Sequence, residues 1–90
     1  GLAMPIRIEF YGIPRHRAGC EFIEVAGDTV ATVLAGAVRA LPGLSDCCTP
    51  DGELHANYIA NLNGEQFVSN THLPVSDGDV ILLLSSDAGG

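Results

Sequence analysis

Three sets of residues in this chain are of types that do chemistry: the carboxylate-bearing end Ala88-Gly89-Gly90, the cysteines Cys20, Cys47 and Cys48, and the histidines His16, His55 and His72. Two glycines in a row have no Cβ atoms, so their backbone can lie extended against another protein's floor where side chains would collide. A carboxylate on such a thread reaches a buried reaction centre. Chain ends also collect small, poorly ordered residues, so position alone leaves a working tail and a frayed one both open. The cysteines form an odd count without the spacing of a disulfide framework. They are too few for a four-thiolate iron–sulfur site. Adjacent Cys47-Cys48 could serve redox or sulfur relay, but neighbouring thiols in a loop are more often spectators. The histidines are scattered through expected loops as surface residues and form no metal-ligand set. No bound cofactor is expected.

Charge and length bound the setting. Eleven acids against four arginines and no lysine give a net charge of −7 over 90 residues. That balance argues against nucleic acid, whose phosphates are held by basic side chains. It suits solubility, and equally steering toward a basic enzyme surface. Gly1-Leu2-Ala3 before Met4 reads as the remnant of a cleaved expression tag, leaving one domain from Met4 to Leu84 and a tail from Ser85 to Gly90. The longest apolar stretch, Val80 to Leu84, is strand length and far short of a membrane span. Reduced cysteines and the lack of a signal peptide point to the cytoplasm.

The elements that must position the tail follow from periodicity. Ile6, Ile8 and Phe10 alternate with Arg7, Glu9 and Tyr11, as in a strand with one buried face. Gly12 to Gly19 reads as a turn into a second strand, Cys20 to Val25, with Ile23 and Val25 inward. Asp28 or Thr29 can cap a helix whose stripe is Val30, Val33, Leu34, Ala37, Val38 and Leu41. Pro42-Gly43 ends it. Leu44 to Asn57 is a long connection with no period. Tyr58 to Leu62, Asn63-Gly64 and Glu65 to Val68 form the strongest hairpin signal, because Asn-Gly fits the two positive φ values of a type I′ turn. Asp77-Gly78-Asp79 then turns into Val80 to Leu84, a central strand. One amphipathic helix across a mixed five-stranded sheet, with first and last strands parallel at its middle, is the ubiquitin-like β-grasp, an α+β fold.

Asn63-Gly64-Glu65, Asp77-Gly78-Asp79 before an apolar strand, and a terminal Ala88-Gly89-Gly90 occur in the order in which the chain resembles the MoaD/ThiS family of sulfur-carrier proteins. The likeness spans Met4 to Gly90. The Leu44 to Asn57 connection is longer than in the shortest thiamine-type carriers, which leaves the chain closer in length to the small subunit of molybdopterin synthase or to carriers for cysteine and tRNA thiolation. The resemblance implies a carrier rather than an enzyme. An E1-like adenylating enzyme would join Gly90 to AMP from ATP, a persulfide donor would supply sulfur, and the Gly90 thiocarboxylate would serve a sulfur-accepting synthase. Gly89 would give clearance and Ser85 to Ala88 the leash. The acceptor stays open among molybdopterin precursor, thiamine thiazole, cysteine and tRNA.

Docking needs a surface as well as a tail. Val80, Leu82 and Leu84 face one side of the last strand and Ile81 and Leu83 the other, so one set must find cover beyond the helix. The expectation places Ile81 and Leu83 with Phe22, Phe67 and Ala88 in the partner-binding set. The alternative is a second small core beneath the Leu44 to Asn57 loop. Two other function classes stand beside the carrier. One is a ubiquitin-like modifier joined through Gly90 to lysines of other proteins, and the other is a β-grasp binding module without chemistry. Loss of Gly89 and Gly90 would change nothing in the last.

Overall fold

The computed structural model describes residues 5–86. The expectations for Gly1 to Ala3 and for Ala88, Gly89 and Gly90 lie outside the described residues. Strand β1, Ile6–Phe10, buries every second residue. Helix α1, Ile13–Ala18, stands where a plain turn is expected. Pro14 opens it at a position where no N–H is needed, and Gly19 closes it in a left-handed conformation with its N–H on the Arg15 carbonyl at 2.9 Å. Six residues are under two turns, too short to show a period.

Strand β2, Phe22–Val25, turns Ile23 and Val25 inward as expected. Helix α2, Val30–Ala40, starts at Thr29, which accepts the Thr32 N–H at 3.1 Å, while Thr32 Oγ1 accepts the Thr29 N–H at 3.0 Å. This reciprocal cap satisfies two otherwise unpaired donors. Val30, Val33, Leu34 and Ala37 are buried, and Val38 and Leu41 pack at the margin. Strands β3, Tyr58–Leu62, β4, Gln66–Phe67, and β5, Val80–Ser85, complete a sheet ordered β2-β1-β5-β3-β4. β1 and β5 run parallel at its centre and the other pairs are antiparallel. The architecture is the ubiquitin-like β-grasp.

Helix α2 covers one face of the sheet, and register decides which residues of β5 it covers. Ile81 pairs with Ile8 and Leu83 with Phe10, so both share the inward face of β1. Each is 0% exposed. This corrects the expectation that Ile81 and Leu83 present a partner surface. Val80, Leu82 and Leu84, half-buried, are the β5 side chains on the open face.

The connection from Leu44 to Asn57 folds back on the helix side of the sheet. After a 3-10 turn over Pro42–Asp46, Leu44, Cys47 and Cys48 enter the same core as Ile6 and Val33. Cys48 bridges to Leu54, and Gly52, at φ 86°, sits so close to the Ala31 carbonyl that a Cβ would collide with it. The Thr71 hydroxyl donates to the Glu53 carboxylate beside it. The loop therefore builds no second core beneath the open face.

Candidate functional site: the open face and the root of the tail

The open face is assembled by register. Phe22 of β2 stands opposite Glu9 of β1, Glu9 beside Leu82 of β5, Leu82 opposite Asn61 of β3, and Asn61 opposite Phe67 of β4. One row thus crosses all five strands. Leu84 opposite Ile59 adds apolar area above it. Phe22 and Phe67, expected in the partner-binding set, do lie on this face, 44% and 68% exposed. Asn61 Oδ1 lies buried in the row without a hydrogen bond from the described residues. Leu82, Leu84 and Asn61 were missed as surface residues because strand alternation defines two faces without saying which one a helix will take.

Two turns anchor the far end of this face. Asn63 at φ 60° and Gly64 at φ 71°, with the Glu65 N–H on the Leu62 carbonyl at 3.0 Å, form the expected type I′ turn. Leu62 pairs with Gln66, which leaves Glu65 as an extra residue in the turn. Asn63 N–H donates to the Val80 carbonyl at 2.7 Å and its Oδ1 accepts the Val80 N–H at 2.8 Å. Its Nδ2 donates to Asp79 Oδ1 at 3.0 Å. The Asn63-Gly64 and Asp77-Gly78-Asp79 signals are therefore two halves of one clasp. The Ser76 backbone N–H, then the Asn63 side chain, hold the Asp79 carboxyl below its ordinary range.

At the other end β5 runs through Ser85, one residue beyond the expected end of the domain. Ser85 pairs with Tyr58 and is buried. The Ser86 N–H donates to the Asn57 carbonyl at 2.8 Å, with Asn57 in a left-handed conformation at φ 76°. The Tyr58 hydroxyl donates to Asp46 Oδ2 at 2.9 Å, and Arg17 Nε lies 3.3 Å from the same oxygen. The root of the tail is thus braced by the 44–57 connection and, through Asp46, by α1. Ser85 and Ser86, expected in the leash, are held in the fold.

Cys47 and Cys48 are buried in the core, and Cys20 is half-buried. Burial first, then the Asp46 charge, pushes the Cys47 thiol up, and burial pushes Cys48 up to about 12. Both are thiols at neutral pH. His16, His55 and His72 are exposed and apart, and among the described residues no three His, Cys, Asp or Glu side chains gather as a metal set. No helix is long and apolar enough to cross a membrane among the described residues.

A small polar cavity of about 200 Å³ opens beside Phe22, lined by Arg7, Glu9, Tyr11, Arg15, Glu21 and Phe22. Glu9 accepts from Arg7 Nε at 2.9 Å and from the Tyr11 hydroxyl at 2.7 Å. The Tyr11 bond, then the one from Arg7, holds the Glu9 carboxyl below its ordinary range, and the same bond to Glu9 raises the Tyr11 hydroxyl.

A parallel β1–β5 centre and one crossing helix define the ubiquitin-like β-grasp, here with a largely apolar open face. No protein-family model and no curated protein sequence matches the chain. Solved structures do. The small archaeal modifier protein 1 of Haloferax volcanii is 27% identical, with 94% of this chain and 98% of that one covered at a TM-score of 0.77. CysO in the BexX/CysO complex of Amycolatopsis orientalis is 22% identical, with 94% and 99% covered, at 0.77. The complex of subunits 1 and 2 of the molybdopterin-converting factor of Helicobacter pylori matches at 22% identity, 91% and 93% covered, and 0.60. The chain thus shares the ubiquitin-like β-grasp with small archaeal modifier proteins, CysO and molybdopterin-converting-factor subunits.

Proposed function

We propose that the chain is a sulfur carrier, acting with partner enzymes rather than as an enzyme itself. The Gly90 carboxylate is a poor electrophile. An E1-like enzyme joins it to AMP, with release of pyrophosphate from ATP, and AMP then becomes the leaving group. Persulfide sulfur attacks the carbonyl carbon, AMP departs, and thiol cleavage of the resulting acyl disulfide leaves Gly90 as a thiocarboxylate. The carrier contributes position, which the partner's site converts into rate. Gly89 gives clearance, and Ala88 and Asp87 complete the leash.

The observation that carries this reading is the parallel pairing of β1 with β5, which brings the root of the tail to the rim of the open apolar face. A partner that covers Phe22, Leu82, Leu84 and Phe67 has the tail at the edge of its footprint. The reaction belongs in the cytoplasm, and a molybdopterin precursor is the preferred acceptor, in keeping with the molybdopterin-converting neighbour. The test is ATP-dependent conversion of the terminal carboxylate to a thiocarboxylate by the host's own enzymes. It is read by intact mass, with a Gly90 deletion as control.

A modifier reading is favoured by one observation: the Haloferax neighbours are named as small archaeal modifier proteins. It uses the same adenylate, attacked by a lysine amine of another protein instead of by sulfur. Gly90-linked adducts in host extract would reveal it. This chain offers no lysine to itself, so lysine-linked chains of it do not form.

A further inference from the structure

The cavity beside Phe22 has an uneven set of charges. Arg7 is committed: its Nε donates to Glu9 at 2.9 Å and its guanidinium lies over the Phe22 ring, 3.6 Å from the centroid. Glu9 is committed through both oxygens, to Arg7 and to Tyr11. Arg15 differs. Its Nε donates to the Phe10 carbonyl at 3.0 Å, which fixes the guanidinium, and its Cζ lies 5.6 Å from the Tyr11 ring centroid. Its Nη2 is 3.8 Å from Glu21 Oε1, beyond hydrogen-bond reach, and Glu21 is largely exposed. A guanidinium carries five N–H donors in a planar fork, so the outer edge of Arg15 is held in place with donors to spare.

The surroundings narrow what that edge takes. At about 200 Å³ the cavity is smaller than the roughly 300–1,000 Å³ of ordinary small-molecule sites. It shares Phe22 with the row that crosses the open face, so whatever covers that face also closes the cavity. It lies on the tail side, because the Tyr11 N–H donates to the Leu83 carbonyl, two residues before β5 ends. Arg15 shares the six-residue α1 with Arg17, and Arg17 is taken up by Asp46 at 3.3 Å, so Arg15 is the cation near the root of the tail without a hydrogen-bonded carboxylate among the described residues. A phosphate dianion would meet Glu9 and Glu21 in the wall. A carboxylate carries one charge and matches the fork edge to edge.

We propose that the Arg15 cavity is a second docking point, which receives an Asp or Glu side chain of the activating enzyme while the apolar face is covered. This rests on the carrier reading. The acid fixes rotation about the apolar contact, and so aims the tail, in the way that charged pairs at a rim set register more than affinity. Glu21 is its internal competitor.

The test is pyrophosphate exchange into ATP by the host's adenylating enzyme, with the carrier concentration varied. Arg15→Ala is expected to raise the carrier KM about tenfold with kcat little changed, and Arg15→Lys, a charge without a fork, to fall between. Glu21→Gln is expected to lower KM, which a merely structural role for Arg15 would not produce. Thermal melting of each variant separates loss of fold from loss of docking. A folded Arg15→Ala protein with KM within twofold of wild type, or a Glu21→Gln protein with unchanged or raised KM, would overturn the proposal. No exchange with wild-type chain and active enzyme would instead remove the carrier reading, and this proposal with it.

Discussion

Leu82 and Leu83 are neighbours of one chemical type with opposite fates. Leu83 is sealed beneath α2 between Phe10 and Ala60, and Leu82 stands on the open face between Glu9 and Asn61. Truncating Leu83 to Ala is expected to cost about 2–5 kcal/mol, from lost transfer energy and a cavity, measured by urea unfolding. Leu82→Asp should fold with a melting temperature near wild type and lose activation by the adenylating enzyme. An active Leu82→Asp protein would remove the open face from the docking account. At the same scale Cys47 and Cys48 act as small apolar side chains, buried in the core with their thiols pushed above the ordinary value. Brief iodoacetamide treatment of native protein, read by peptide mass, should label half-buried Cys20 well before either of them. Equal labelling of all three would reopen the relay reading.

Elements show where local chemistry was legible. The α2 stripe, the Thr29 cap and the Asn63-Gly64 turn were readable, because each depends on residues within a few positions of one another. The choice of face for β5 was not. Alternation separates Ile81 and Leu83 from Val80, Leu82 and Leu84, but which set lies under the helix is fixed by pairing with β1, over seventy residues away in sequence. Helix α1 was too short for periodicity, and the 44–57 connection is shaped by distant partners: the core for Cys47 and Cys48, the Ala31 carbonyl for Gly52, Ser86 for Asn57. Gly52→Ala tests that docking. It adds a Cβ against backbone at a positive φ, and should destabilise by more than about 1 kcal/mol in urea. An unchanged midpoint would mean that the loop does not pack on α2 in solution. The Asn63–Asp79 clasp has a pH signature. Because the folded state depresses the Asp79 carboxyl, its contribution is present above the ordinary aspartate range and lost as pH falls through the folded value. Asp79→Asn should therefore be less stable than wild type at neutral pH, with the gap closing in acid. A gap that widens in acid would contradict the clasp.

At the scale of the whole molecule the β-grasp turns one long-range pairing into a delivery geometry. Pairing β1 with β5 in parallel sets the last strand at the centre of the sheet, so its end leaves beside the open face rather than from an edge. The 44–57 connection then braces that exit through Asn57, Tyr58 and Asp46. In the proposed carrier, a reaction on the tail and recognition on the sheet would be kept apart, which would let one fold serve partners with different chemistry. The motif order pointed to the carrier class, whereas no residue of the chain names the acceptor, since the partner's site chooses it. The most direct measurement of the central claim is the intact mass of the chain after incubation with ATP, a persulfide source and lysate of its own host. The account predicts a mass gain equal to one oxygen replaced by one sulfur, abolished by deleting Gly90. An unchanged mass, with the adenylating enzyme shown to be present and active, would contradict it.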